Sequence, residues 1–172
     1  PQHEHYFTEQ AMPVCYINGP DSLPSYNIDF VQMGYVLTQK LLEYKHTKLA
    51  CLLRDKSQRS QLVAEGFKKC LFDNQIPYSD SMRLFINDPD SIQKIITFHI
   101  SGIVSSHYAS SLELFDQMTR IRHYIPSDLS LVSLKDDVRE AISYPSISSL
   151  KIPYREFGYY ICENLRHLRE KF

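Results

Sequence analysis

The run KLACLL at residues 48–53 shows no alternation of polar and apolar positions. A strand with one wet face alternates, whereas a strand covered on both faces by helices reads as continuous apolar residues. A helical pattern precedes it: Phe30, Val31, Tyr35, Leu37, Leu41 and Leu42 recur at helical spacing between residues 28 and 44. A helix delivering the chain into a doubly covered strand is the signature of a parallel α/β sheet, and the rest of the chain repeats it.

After the strand, residues 57–75 form a helix pattern with Leu62, Phe67, Cys70 and Leu71 on one side, and Ser57 is placed to cap it. MRLFI (82–86) reads as a strand. DPDSIQKIITFH (88–99) reads as a helix opened by Pro89. GIVSS (102–106) is a strand, 108–124 a helix with Leu112, Phe115, Met118 and Ile121 inward, LSLVSL (129–134) a strand, and ISSLKI (147–152) a last short strand. Pro153 opens a final helix. MPVCYI (12–17) is a further strand, separated from the rest by NGPDSLPSY, whose Gly19, Pro20 and Pro24 mark a linker. This alternation implies a mostly parallel sheet with helices on both faces. In such sheets ligands sit beyond the carboxyl ends of the strands, at the switch point of strand order. The candidate positions are therefore RDKS (54–57), SSHY (105–108) and KDD (135–137).

The 172 residues suit one ordinary α/β domain. A net charge of −1 offers no electrostatic ground for direct nucleic-acid or membrane binding. Cys15, Cys51, Cys70 and Cys162 are scattered without a C-x-x-C pair, which reads as buried, reduced thiols and a cytoplasmic protein. No signal peptide and no bilayer-length apolar run is seen, and the first residues, PQHEHYFTEQAMP, read as a cut inside a longer chain.

The chain carries no G-x-G-x-x-G, no G-x-x-x-x-G-K-[ST] and no G-x-S-x-G. Ser106 and His107 are adjacent at a strand end, where neighbours seldom face each other as nucleophile and base. Asp136 and Asp137 suit helix capping better than metal binding, and the seven histidines do not cluster. His46 reads as a turn contact, and His99 and His123 suit helix ends. Tyr154, Tyr159 and Tyr160 read as packing residues, while Tyr16, Tyr108 and Tyr144 lie near strand ends, where rim packing or ligand stacking would explain them. No catalytic residue, cofactor or metal is expected.

Five segments, in order, resemble the LacI/GalR family of transcriptional regulators. QKLLEYKHTKLACLL resembles that family's a-x-x-L-x-x-x-G-H-x-x-I-a-x-i, with His46 matching and Lys45 at the usual glycine. VAEGFKKCLFDNQI resembles R-x-x-G-F-x-x-A-L-x-x-x-G-i through Gly66, Phe67 and Leu71. GIVSSHYASSLELFDQM resembles a-i-f-x-x-D-x-x-A-x-G-x-l through Ala109. IPSDLSLVSLKDD resembles i-P-x-D-i-S-v-v-G-f-D-D through Pro126, Asp128, Ser130 and Asp136. YPSISSLKIPYREFGYYICENL matches the next family segment through Pro145, Ser148, Ser149, Pro153, Gly158 and Leu165.

The resemblance, over residues 12–172, implies a periplasmic-binding-protein-like lobe: a three-layer, doubly wound, mostly parallel sheet of flavodoxin-like strand order. It implies residues 1–27 as an end strand and crossover linker from a first lobe, and 28–172 as the C-terminal lobe of an effector-binding and dimerisation domain. Three family ligand contacts differ here: Val63 and Val36 replace arginines and Ser106 replaces an aspartate, with Ser111 at the motif's glycine. Arg59, one helical turn before Val63, stands as the replacement guanidinium. The candidate ligand set is Arg54, Asp55, Arg59, Ser105, Ser106, His107 and Asp136, and the candidate dimer contacts are Phe72, Leu84, Leu112 and Phe115. The implied function is sensing of a sugar-like or other small-molecule effector, in a homodimer that reaches DNA only through a headpiece outside this chain, with no membrane partner. The alternatives are a sugar-binding transport protein and a small α/β hydrolase using Ser106 or Asp136.

Overall fold

The computed structural model describes residues 16, 17, 19, 25–136 and 146–169. Two compact units emerge, one of Phe30–Ile152 and one joining Pro1–Asp29 to Pro153–Phe172. Of MPVCYI only Tyr16–Ile17 lies within the described residues, as strand β1; it pairs in parallel with β2, Ser25–Tyr26, a contact the linker reading of NGPDSLPSY did not include.

In the larger unit, helix α1 (Phe30–Glu43) leads into β3 (Leu49–Leu53), α2 (Gln58–Asp73), β4 (Arg83–Phe85), α3 (Asp90–Thr97), β5 (Gly102–Ser105), α4 (Tyr108–Arg120), β6 (Ser130–Lys135) and β7 (Ser148–Lys151). A single 3-10 turn, Asp80–Met82, precedes β4. The five strands from β3 to β7 form one sheet in the order β4-β3-β5-β6-β7, every pair parallel. Counted in chain order this is 2-1-3-4-5, the flavodoxin-like arrangement, whose switch point lies between β3 and β5.

All five residues of β3 are buried, as its unbroken apolar run requires. Ala50, Leu52, Leu84, Ile103 and Leu131 join Ile95 of α3 and Tyr108, Leu114 and Met118 of α4 in one apolar cluster. The alternate strand residues, Leu49, Cys51, Leu53, Val104 and Val132, face the opposite layer of α1 and α2, because strand side chains alternate sides. Those two helices touch backbone to backbone. A methyl group on Gly34 would strike the Val63 carbonyl, and one on Gly66 the Val31 carbonyl.

Each of α1 to α4 ends in the same way. Lys45, Gln75, His99 and Arg122 take positive φ of 67°, 59°, 50° and 58°. Each lies two residues past its helix, and the next residue's amide reaches back to Leu41, Leu71, Ile95 and Met118 respectively. This is the Schellman closure, whose left-handed residue is usually glycine.

Three expectations need correction. The inward residues of α4 are Tyr108, Ser110, Ser111, Leu114 and Met118, whereas Leu112 and Ile121 are exposed; buried serines shift the helix face away from the apolar stripe. Tyr154, Tyr159 and Tyr160, on the final helix α5 (Tyr154–Arg169) of the smaller unit, are exposed and not core residues; Tyr160 meets the Tyr26 ring edge-on at 5.7 Å. Cys162 on the same helix is an exposed thiol, while Cys51 and Cys70 are buried and burial pushes them up to about 12 and about 11. Cys15, Asp137 and Tyr144 lie outside the described residues.

Candidate strand-end ligand site

The carboxyl ends of β3, β5 and β6 deliver the chain to Arg54, Ser106 and Asp136 at one end of the sheet. Arg59, in the first turn of α2, ties two of these ends together. Its guanidinium forks onto the Asp136 carboxylate, with Nη1 donating to Oδ1 at 2.5 Å and Nη2 to Oδ2 at 3.2 Å. Nε and Nη2 also donate to the Ser106 carbonyl at 3.1 and 2.8 Å. The Phe30 ring lies 5.5 Å from the guanidinium carbon, so a cation–π contact supports one face of the fork. Arg59 is well shielded, its side chain 15% exposed against 32% for Asp136.

Asp55 organises the β3 side. Its Oδ1 accepts from the Ser57 amide and the Ser60 hydroxyl, both at 3.0 Å. Those bonds, those to Ser57 foremost, hold its carboxyl down to about 2. Ser57 caps α2, as the sequence suggested, accepting from the Ser60 amide. Ser60 is fully buried and its hydroxyl comes within 3.5 Å of the Ser106 hydroxyl, which itself lies 2.9 Å from His107 Nδ1. Burial first, and then the nearby Arg59 charge, lower the His107 imidazole to about 4, so it is neutral at pH 7. A chain of neutral hydroxyls therefore runs from the Asp55 carboxylate to an uncharged ring.

The seven sequence-predicted ligand residues gather at this end in different capacities. Arg54 and Asp55 are exposed, and Arg59, His107 and Asp136 are half-buried. Ser105 and Ser106 are fully buried. Ser105 donates to the His107 carbonyl at 2.9 Å and so holds the β5–α4 turn in place. Among the described residues Arg54 makes no hydrogen bond or ion pair, which leaves its guanidinium available to a ligand. The sequence reading gave Phe30 and Ser111 no place in the ligand set and did not name Ser60 or Ser133, whose hydroxyl pairs with that of Ser111 at 2.8 Å behind the turn. The density of small polar residues after an apolar strand, RDKSQRS, was the available signal for Ser60.

Of the four candidate interface residues, Phe72 is 80% exposed and Leu112 38% exposed, Phe115 is half-buried, and Leu84 is buried in the core. Leu84 therefore offers no surface, because its side chain points from an edge strand into the cluster under α3 and α4.

As a nucleophilic centre the arrangement is incomplete. The Ser106 hydroxyl is closed off from solvent, and the Asp55 carboxylate is spent on Ser57 and Ser60, not on orienting the imidazole. It is suited to holding a polar ligand: a guanidinium fork, a half-buried carboxylate and neutral hydrogen-bonding groups converge at one end of the sheet.

A family model described as periplasmic binding protein-like domain matches residues 38–171. No curated protein matches the chain. Among solved structures, the Escherichia coli transcriptional repressor ascG is similar at TM-score 0.81 and 19% identity, over 99% of this chain and 67% of that one. A sugar-binding transcriptional regulator of the LacI family from Escherichia coli, complexed with phosphate, is similar at TM-score 0.80 and 18% identity, over 95% and 63%. A LacI family transcriptional regulator from Enterococcus faecium with bound ribose is similar at TM-score 0.75 and 18% identity, over 99% and 66%. At such identities the likeness establishes the fold, and the chain spans about two thirds of the length of these structures.

Proposed function

Because the chain belongs to the periplasmic binding protein-like domain family, we propose that it is the ligand-sensing and dimerisation part of a bacterial LacI/GalR-like transcriptional regulator. The observation that carries this reading is the convergence of Arg59, Asp136 and His107 on the switch point of a 2-1-3-4-5 parallel sheet. The LacI-family regulators with the same fold, one of them with bound ribose, support it.

In this reading the effector is a small polar molecule, sugar-like or of another class. Arg54 supplies an unengaged cation beside the Arg59–Asp136 pair. Because Arg59 already joins Asp136 to the Ser106 carbonyl, a ligand entering here perturbs α2, β5 and β6 together. That common link is what a sensor needs to convert occupancy into a shift of the whole lobe. DNA contact belongs to a headpiece outside this chain, the regulator works as a cytoplasmic homodimer, and Phe72, Leu112 and Phe115 supply apolar contact area between copies. The domain is not an enzyme: the buried Ser106 hydroxyl and the diverted Asp55 carboxylate favour binding over turnover.

The test is a thermal-shift screen of the full-length regulator against sugars, sugar phosphates and nucleosides, since a ligand that binds only the folded state raises the midpoint with the logarithm of its excess. A hit that Arg54→Ala weakens and Asp136→Asn abolishes supports the site. Chemical conversion of the hit, or a hit indifferent to both substitutions, would overturn the reading.

A further inference from the structure

A polar cavity of about 360 Å³ opens between α2 and the edge strand β4. Gln61, Glu65 and Lys68 of α2 line it with Tyr78, Asp80 and Arg83. Its volume falls within the range of small-molecule sites. Arg83 Nε is buried and has no hydrogen-bond partner, the one such side-chain atom among the described residues. A buried donor without an acceptor is unfavourable, and native proteins seldom leave one without a reason such as a bound ion or ligand.

The charged side chains that line the cavity are not paired with one another. Neither Arg83 nor Lys68 forms an ion pair among the described residues. Lys68 Nζ instead lies 5.1 Å over the Tyr78 ring. The Tyr78 hydroxyl donates to Asp80 at 3.1 Å, and Glu65 stands on the exposed rim. Two cations and two carboxylates thus share one cavity without neutralising one another. A simple anion would find acceptor-seeking groups at Arg83 but repulsion at Asp80 and Glu65; a simple cation would meet the converse. A molecule bearing both charges complements the whole set.

We propose that this cavity binds a small zwitterion of the α-amino-acid type, its carboxylate on Arg83 and Lys68 and its ammonium group toward Asp80 and Glu65. The site is separate from the strand-end site and does not depend on the regulatory reading. Occupancy would pin the edge strand to α2, since Arg83 sits beside Cys51 in the β3–β4 register and the other donors lie on the helix.

The experiment is an amide chemical-shift titration of the 172-residue chain with L-glutamine, N-acetyl-L-glutamine and L-glutaminamide. L-glutamine is expected to shift Lys68, Tyr78, Asp80 and Arg83 saturably. The acetylated and amidated probes, each lacking one charge, are expected to bind at least about tenfold more weakly, the loss of one charge-assisted contact. Arg83→Met is expected to abolish binding while keeping or raising Tm, because it removes an unpartnered donor. No saturable shift, shifts confined to other residues, equal binding of all three probes, or unchanged binding in Arg83→Met would each overturn the assignment. Unfolding of Arg83→Met would overturn it too, by showing that the guanidinium serves the fold.

Discussion

Arg59 and Asp136 stand 77 residues apart in the chain and meet through a two-pronged contact across the end of the sheet. The pair joins the helix after the first core strand to the end of the fourth. Arg59 also holds the Ser106 carbonyl, so three secondary elements share one guanidinium.

Breaking this contact has a predictable asymmetry. Arg59→Ala strands both a carboxylate and a carbonyl and should lower stability by about 1–3 kcal/mol, whereas Arg59→Lys keeps the charge but loses the fork. A double-mutant cycle with Asp136→Asn, read by urea unfolding, should give a coupling energy on the order of 1 kcal/mol. Strict additivity would mean the two groups do not depend on each other in solution.

Acidification should lower stability over two pH windows. The folded His107 pKa, about 4, lies below the unfolded value of 6.5, so between these limits the unfolded chain binds the extra proton. Its contribution is complete above pH 6.5 and fades as pH falls toward 4. Asp55 follows, its contribution present above 3.8 and lost as pH falls toward about 2. His107→Asn should flatten the first window of a Tm-against-pH curve and leave the second; an unaltered first window would point to another group.

Gly66 is the tighter of the two helix-contact glycines, with the Val31 carbonyl and the Tyr35 amide both in the way of a side chain. Gly66→Ala should cost at least about 2 kcal/mol through overpacking. The same replacement at Gly158, where nothing lies within 4 Å, should be stabilising or neutral, helix propensity being the remaining effect. Thermal unfolding of the two variants side by side checks the contrast.

The left-handed residues after the helices predict gains. Gln75→Gly and Arg122→Gly each remove a side chain from a positive-φ position and should stabilise by roughly 0.5–1 kcal/mol. The double variant should add, since the sites close different helices. A loss of stability in either would show that its side chain contributes more than its backbone strain subtracts.

Much of this architecture can be read from residue order. KLACLL fails to alternate because both its faces are covered, and each following helix brings the chain back for another parallel strand. The switch-point rule then located Arg54, Ser106 and Asp136 without any coordinates. What pattern reading missed was written in serine. Ser111 and Ser60 are buried through hydrogen bonds to Ser133 and Asp55, so hydropathy assigns the wrong face to α4 and passes over Ser60. The sequence offers Arg59 as a candidate guanidinium, but its contact with Asp136 depends on β3, β5 and β6 lying side by side, which spacing along the chain does not express. The orphaned Arg83 Nε has no counterpart in sequence at all, because it is defined by a partner that is missing.

The backbone contact at Gly34 and Gly66 has a mechanical consequence. Helices separated by long side chains can slide, each rotamer change absorbing part of the displacement. Here two peptide backbones bear directly on each other, so α1 and α2 have no such slack. Any push at the Arg59 end of α2 is therefore transmitted along a stiff plate, and motion in this layer is confined to rotation as a block in place of internal shear.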